Sequence, residues 1–257
     1  MDINNCKLCD SEILNVKHNL SFLNKYTEPL FIAKCGSLFV KDAFWLDEAY
    51  KNSIGHKDTG VIQRILNNHG ILIALNLIIN FKNILDYGGS TGLLTRYLRD
   101  YKINAFNYDE YEKNIFSKKF QSKLDMKFDF INLCEVAEHF QEPKIEFKNI
   151  LKLEPKFILL NTVIYENEDE SWFYFNSEEG QHIFFYSRNC LQNYFAKHDY
   201  KVILKKRNQF IYKKEYVNFI QKILILLTIN KFTSRIFRGI VSFIPPKGIF
   251  NDIDLIE

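Results

Sequence analysis

The chain has 257 residues, 47% hydrophobic and 25% charged, an ordinary globular composition that excludes disorder, collagen and a small disulfide scaffold. Its 34 basic and 31 acidic side chains leave a formal charge of +3, too close to neutral to demand a polyanionic partner. Five cysteines, an odd number with no apolar leader ahead of them, exclude a secreted disulfide framework and place the expected compartment in the reducing cytoplasm.

Residues 1–60 carry Cys6, Cys9 and Cys35 and the aromatic stretch Phe44-Trp45-Leu46-Asp47-Glu48-Ala49-Tyr50, with no long helical period; a lid or small appended module is expected. Over 61–80 the apolar positions Ile62, Ile65, Leu66, Ile73 and Leu77 recur three and four apart, which predicts a helix buried on that face. Between 82 and 161, strand-like runs at 84–87, 105–109, 128–133 and 157–160 alternate with helical patterns at 91–101 and 143–151. Alternation at this pitch predicts crossover units on a mostly parallel sheet. A helix over 188–197, with Ser187 as its N-cap, precedes runs at 201–204 and 209–212 that would close the sheet as an antiparallel pair. The expected fold is α/β and Rossmann-like over 61–212, between the module 1–60 and a helical tail, 213–257.

That tail is basic. From Lys205 onward ten basic and four acidic residues give +6, against −3 for the rest. Tyr216, Phe219, Ile220, Ile223, Leu224 and Leu227 would share a helical face, for which packing on the domain is expected; a dimer contact, nucleic acid or an anionic membrane surface are the other readings. The longest apolar run, 223–229, is far shorter than the ~20 residues a membrane-spanning helix needs. The tail matches no RNA-binding pattern.

The sharpest local signal is Ile84-Leu85-Asp86-Tyr87-Gly88-Gly89-Ser90-Thr91-Gly92, a strand that ends in an acid and turns through glycines into a helix. Glycine permits a tight turn and close approach of a ligand to the main chain. Gly88 and Gly92 are four apart with Ser90 between them, and no Gly-Lys-Ser/Thr occurs, so neither the dinucleotide fingerprint nor a Walker loop is present. Asp86 ahead of the turn suits a cationic ligand. Asp109 ends the next strand, 17 residues after Gly92, where a carboxylate accepts both hydroxyls of a ribose.

These residues resemble the class I S-adenosylmethionine-dependent methyltransferases, whose first motif is acidic-x-Gly-x-Gly-x-Gly. The chain matches it at Asp86, Gly88 and Gly92 and departs at Ser90. The resemblance runs through Asp109, the family's ribose position, then Phe128-Asp129-Phe130-Ile131, Glu135-Val136-Ala137-Glu138-His139 and Pro143, and covers roughly 60–205. It implies S-adenosylmethionine as cofactor and S-adenosylhomocysteine as product, held by Asp86, Tyr87, Gly88, Gly89, Ser90, Gly92, Asp109 and Glu135. Asp125 is the candidate for the family's adenine-contacting acid.

Methyl transfer from a sulfonium is an in-line displacement, and a hydroxyl acceptor also needs a base, most often histidine. His182 lies in Glu178-Glu179-Gly180-Gln181-His182-Ile183-Phe184-Phe185-Tyr186-Ser187. This segment resembles those of glycan and sugar-nucleotide tailoring methyltransferases, which implies a catalytic base; a histidine that only hydrogen-bonds its loop is the other reading. In Glu135-x-x-Glu138-His139 a helix would place all three side chains on one face. That spacing resembles the divalent-ion motif of ubiquinone-type O-methyltransferases, with metal-free shaping of the pocket as the alternative. Candidate catalytic residues are therefore His182, His139 and Glu138, and candidate metal ligands Glu135, Glu138 and His139. Trp45, Tyr50, Trp172 and Glu179 are the candidate substrate contacts, with Phe173, Tyr174 and Phe175 as a further stacking wall.

Cys6-x-x-Cys9 with Cys35 resembles the N-terminal zinc-binding module of some sugar methyltransferases, in which two Cys-x-x-Cys pairs meet. Here Ile32 stands where the second pair would begin. His18 as a fourth ligand, free buried thiols and the remnant of a lost site are the open readings, while Cys134 and Cys190 lie in apolar runs and are expected in the core. The resemblance implies an O-methyltransferase acting on a nucleotide-activated or glycan-linked sugar of a surface polysaccharide such as a capsule, cytoplasmic or at the inner face of the membrane. A sugar C-methyltransferase, a nucleic-acid methyltransferase and a silent S-adenosylmethionine-binding module are the alternatives.

Overall fold

The structure is a computed structural model that describes residues 4–52 and 59–230, with positions 236, 239, 240, 243, 245, 246, 248 and 252 beyond them. Lys231, Arg235, Arg238 and Lys247 of the basic tail lie outside the described residues. The chain opens with a hairpin of β1 (Ile13–Phe22) and β2 (Tyr26–Ala33), turned at Leu23 and Asn24 with φ of 55° and 54°, followed by β3 (Leu38–Val40). A short helix α1 (Leu46–Ala49) and the long α2 (Val61–Ile79) lead to β4 (Asn83–Tyr87), α3 (Leu93–Asp100) and β5 (Asn104–Tyr108). Then come β6 (Phe130–Cys134), α4 (Pro143–Lys152), β7 (Phe157–Asn161), β8 (Phe184–Phe185) and α5 (Arg188–Ala196). The last elements are β9 (Tyr200–Leu204), β10 (Asn208–Lys213) and α6 (Phe219–Thr228).

The main sheet has the order β5-β4-β6-β7-β10-β9. Strands β5, β4, β6 and β7 are parallel, and β10 inserts antiparallel between β7 and β9. The strands are apolar on both faces because helices cover both, as a parallel sheet requires. Register lines up Ile84, Phe130, Phe157 and Tyr212 under α2, α3 and α6, while Leu85, Ile131, Ile158 and Ile211 form the opposite row under α4 and α5. Each such buried side chain contributes ~1.5–3 kcal/mol. Between β5 and β6 no further strand forms; only an isolated parallel bridge, Asn107 to Gln121, extends the sheet edge. The mostly parallel sheet and the closing antiparallel pair agree with the sequence pattern.

The N-terminal strands build a second sheet, β1-β2-β3-β8, whose last strand comes from the far side of β7. Leu38 pairs with Phe185 and Phe39 with Phe184, and Cys6, Leu8 and Phe39 join the same apolar cluster as Leu133 and Phe147. Residues 4–52 thus share a core with the main sheet.

Two expected faces are corrected. In α2 the buried stretch is the continuous 68–75, whereas Ile62 and Leu77 are 54% and 77% exposed, because the helix is enclosed by α3, α6 and the sheet together. By length and composition α2 would cross a membrane; its buried middle makes it a core helix. In α6, capped by Asn218 and Gln221, only Ile225 and Thr228 are buried, and Phe219, Ile220, Ile223, Leu224 and Leu227 face outward.

The C-terminal segment returns to α3. Gly248 N–H donates to Asp100 O (2.7 Å), and the buried Arg99 donates to both carboxylate oxygens of Asp252 (2.8 Å each) while stacking on Phe120. Arg99 holds the Asp252 carboxyl below its usual range, so this contact stabilises the fold above the ordinary carboxylate range and is lost as pH falls through the depressed value. Asp252→Ala strands a buried guanidinium; thermal or denaturant unfolding should show a loss of about 3 kcal/mol.

Candidate active site

The parallel strands deliver their C-terminal ends to one edge, and the turn after β4 forms its floor. Gly88 and Gly89 N–H both donate to Tyr108 O (2.7 and 3.1 Å), tying the turn to β5. A Cβ on Gly89 would meet Asn107 Oδ1 at 2.1 Å and Asp86 Oδ2 at 2.6 Å; one on Gly92 would meet Asn114 Oδ1 at 2.3 Å. The glycines admit the protein's own polar side chains beneath the turn. Ser90 takes the left-handed conformation, φ 47°, at a cost of ~1–2 kcal/mol for an L-residue. Its N–H to Asp109 Oδ2 (2.8 Å) and its carbonyl, which accepts from Asn107 Nδ2 (3.2 Å), hold it there. A serine therefore does the work of the motif's glycine.

Above this floor lies a cavity of about 1150 Å³ lined by Asp86, Tyr87, Gly88, Gly89, Ser90, Asp109, Glu135, His139, Glu179 and His182 among others. Among the described residues its charge is one-sided: nine carboxylates, Asp47, Asp86, Asp109, Glu110, Glu112, Glu135, Glu142, Glu146 and Glu179, face two guanidinium groups, Arg64 and Arg207. Asp86 is 2% exposed. Burial pushes its carboxyl up to about 7, Asp109 adds to this, and the hydrogen bond from Asn132 Nδ2 (2.8 Å) only partly opposes it. A buried carboxylate short of positive charge is a fit for the ammonium and sulfonium of S-adenosylmethionine.

Asp109 is more occupied than the sequence implies. Its Oδ1 accepts from Tyr111 N (2.9 Å) and Glu112 N (2.8 Å), and Oδ2 from Ser90 N. Two lone-pair sites per oxygen leave one acceptor site, on Oδ2, for a ribose hydroxyl.

The segment after β6 is not the expected helix. Glu135 has φ 55° and Ala137–His139 form a single 3-10 turn, so Glu135, Glu138 and His139 are assembled by a bend. Tyr174 gathers them. Its hydroxyl donates to Glu138 Oε1 and lies 3.0 Å from Glu135 Oε2 and 3.2 Å from Thr162 Oγ1. Burial raises both carboxyls, that of Glu135 to about 7 with Glu138 adding to the rise, while the hydrogen bond to Tyr174 opposes it in both.

His182 Nδ1 lies 2.7 Å from Tyr174 O. A carbonyl only accepts, so Nδ1 carries the proton and Nε2 the lone pair. His139 lies beside it, ring centroids 5.1 Å apart and planes tilted by 44°, and its Nδ1 is 3.1 Å from the Tyr50 hydroxyl. Burial lowers the affinity of both rings for a second proton, that of His139 most strongly, so both are neutral at physiological pH. The atoms of Glu138, His139 and His182 lie within 4.8 Å of one another. Among the described residues the close donor set here is Glu138, His139 and His182, whereas the expected set was Glu135, Glu138 and His139.

The structure brings Tyr50, Glu179, His139 and His182 to the cavity together with Asp86, the turn, Asp109 and Glu135. It leaves others outside. Trp45 is 2% exposed, stacked on Phe22, with Nε1 donating to Gly180 O (2.8 Å); Trp172 packs on Tyr165, Phe175 and Phe185. Both rings serve the core of the N-terminal sheet, where aromatics gain most from burial. Gly92 lies under the turn, Glu138 behind Tyr174, and Asp125, exposed on the edge loop, lies away from the cavity lining. Sequence reasoning passed over Tyr174 as one aromatic among four, and missed Tyr111, stacked on Tyr50 at 4.5 Å, as well as Arg64 and Arg207. No local motif marks them.

A glycine turn between two strand-end acids, opening on an acidic cavity at the carboxyl edge of a parallel sheet, defines a class of nucleoside-cofactor-dependent transferases. A methyltransferase-domain family model matches residues 61–205, more than half of the chain. The chain belongs to this family and is a class I S-adenosylmethionine-dependent methyltransferase. Among solved structures it is similar to the plantazolicin methyltransferase BpumL in complex with S-adenosylhomocysteine, at 13% identity over 76% of this chain and 84% of that one, TM-score 0.43. It is also similar to the methyltransferase domain of bacterial CtHen1, at 18% identity over 57% and 97%, TM-score 0.41. An O-methyltransferase family protein from Burkholderia thailandensis gives 12% identity over 66% and 62%, TM-score 0.48. A search of curated proteins returns no match. Likenesses this distant say nothing of the acceptor.

The Asp86 carboxyl, at about 7 in the free protein, must ionise to meet a cation. Calorimetric affinity for S-adenosylmethionine should therefore strengthen as pH rises, by about fivefold from pH 6 to 7 and about tenfold from pH 6 to the plateau above pH 8; Asp86→Asn should flatten the profile, and a flat wild-type profile refutes the assignment. Asp109→Ala removes a charged acceptor and the anchor of Ser90, and should weaken binding by about 10- to 100-fold; unchanged affinity would remove Asp109 from the site.

Proposed function

We propose that the protein methylates a hydroxyl of a neutral, ring-bearing acceptor, a sugar of a glycan, with His182 as the general base. The carrying observation is the fixed tautomer of His182. Its Nδ1 is committed to the Tyr174 carbonyl at 2.7 Å, which orients a neutral ring at the cavity wall with a lone pair on Nε2. S-adenosylmethionine supplies a methyl carbon made electrophilic by the positive sulfur. Asp86 and the glycine turn hold that cation, and His182 takes the proton of the acceptor hydroxyl. The nearby Glu135 favours the charged ring that results, as the carboxylate partner of a catalytic histidine does.

The lining supports a sugar-like, uncharged acceptor. Tyr50, Tyr111 and Phe173 offer ring faces, and Asn176, Gln181 and Glu179 offer hydrogen-bonding groups. Among the described residues, nine carboxylates against two guanidinium groups weigh against a phosphorylated one, which favours a glycan-linked sugar over a nucleotide-activated sugar or nucleic acid. Methylation at carbon would use the same base and differ in the product.

The test is turnover on a panel of neutral oligosaccharides, nucleotide sugars and RNA, with the product's new bond assigned by NMR. An ether on a neutral sugar is expected; transfer confined to the phosphorylated acceptors overturns the reading. His182→Gln should lower turnover by roughly 100- to 10,000-fold with cofactor affinity retained, and full activity in that variant removes His182 from the chemistry.

A further inference from the structure

We propose that Cys6, Cys9, Cys35 and Cys190 hold one zinc ion in a closed tetrathiolate centre that fastens the N-terminal sheet to α5. The four sulfurs lie within 4.8 Å of one another, and the residues are 1%, 7%, 5% and 0% exposed. The Sγ atoms of Cys6 and Cys190 are 3.8 Å apart. A tetrahedron with Zn–S of about 2.3 Å has an edge of about 3.8 Å, whereas a disulfide requires about 2.05 Å.

Each ligand is presented by a tight local structure. Cys6 and Cys9 sit in a turn closed by Asp10 N to Cys6 O (3.1 Å) and Cys6 N to Ser11 O (2.7 Å). Cys35 occupies the β2–β3 connection, where Gly36 at φ 88° turns the chain back. Cys190 lies in the first turn of α5, its N–H donating to the Ser187 hydroxyl at 3.1 Å, and that hydroxyl donates to Cys35 O. Ser187 therefore sets two ligand-bearing segments against each other, as outer-shell partners of metal sites do.

The fourth ligand is thus neither a second Cys-x-x-Cys nor His18. His18 is committed elsewhere, with Nε2 3.2 Å from Glu168 O and Nδ1 3.6 Å from Glu170. The Cys190 sulfur comes from 155 positions beyond Cys35 and belongs to the methyltransferase part of the chain. Four thiolates and no open position fit a structural zinc; Lys197, donating to Cys9 O at 3.4 Å, brings positive charge beside the dianionic centre. Cys134 stands apart at the end of β6.

The full-length protein, purified under reducing conditions with zinc in the medium, should carry about one zinc per chain by plasma mass spectrometry. Cys134→Ser should keep it and Cys190→Ser should lose it. Wild-type stoichiometry in Cys190→Ser, or a metal-free wild type with five titratable thiols, overturns the proposal. Should Cys190→Ser not fold, cobalt-substituted wild type decides: tetrahedral ligand-field bands with thiolate charge transfer support the centre, and their absence refutes it. None of these readouts depends on methyl transfer.

Discussion

Negative charge buried at the edge of a parallel sheet is the constraint around which this molecule is arranged. Asp86, Asp109 and Glu135 follow from one geometric fact: β4, β5 and β6 run the same way and release their C-terminal residues to the same edge. Burying a carboxylate costs several kcal/mol unless something answers it, and the raised carboxyls of Asp86 and Glu135 record that cost. Neutral amides surround them. Asn132 reaches Asp86, and Asn107 reaches the carbonyl of Ser90, so the chain supports the acids without neutralising them. A cationic cofactor completes what the fold leaves open.

The opposite wall is held by side chains. The segment between β7 and β8 has little regular structure beyond Phe173–Phe175, yet Tyr174 fixes it at both ends of one residue, its hydroxyl on the carboxylates and its carbonyl on His182. From behind, the N-terminal sheet braces the same segment. Trp45 holds Gly180 O, Gln181 donates to Ala49 O at 3.1 Å, and β3 pairs with β8. The residues expected as a lid or small appended module therefore buttress the segment that carries His182. Trp45 contributes through its indole N–H and packing, at a distance from the acceptor.

Local periodicity made the parallel sheet, its helices and the glycine turn legible in the sequence, because each is written within a dozen residues. The burial of α2 was not, since three neighbours enclose it and no single stripe records that. The hairpin β1–β2 was hidden because β1 is exposed at most of its first five positions and alternates only from His18 onward. Composition could not separate Trp45 and Trp172 from Tyr174, as all three are aromatics in aromatic runs; only the fold shows which of them has a polar atom against a carboxylate. Cys190 was the hardest to read. It looks like a core residue in an apolar run, and its partners lie at the other end of the chain.

Charge sorting links the acceptor to the architecture. A net charge of +3 conceals an acidic cavity and a basic C-terminal stretch, and among the described lining residues the two meet at Arg207 alone, with Arg64 as the other positive charge. Unit charges 4 Å apart interact by ~4 kcal/mol at the effective dielectric of a protein surface. A diphosphate entering beside Glu110, Glu142, Glu146 and Glu179 would meet that repulsion several times over, while a sugar ring would meet carboxylates able to accept its hydroxyl protons. Once a sulfonium is seated over Asp86 the floor is neutralised and the rim stays acidic. Under the proposed function, the floor carboxylates would serve the cofactor and the rim carboxylates would favour an uncharged acceptor.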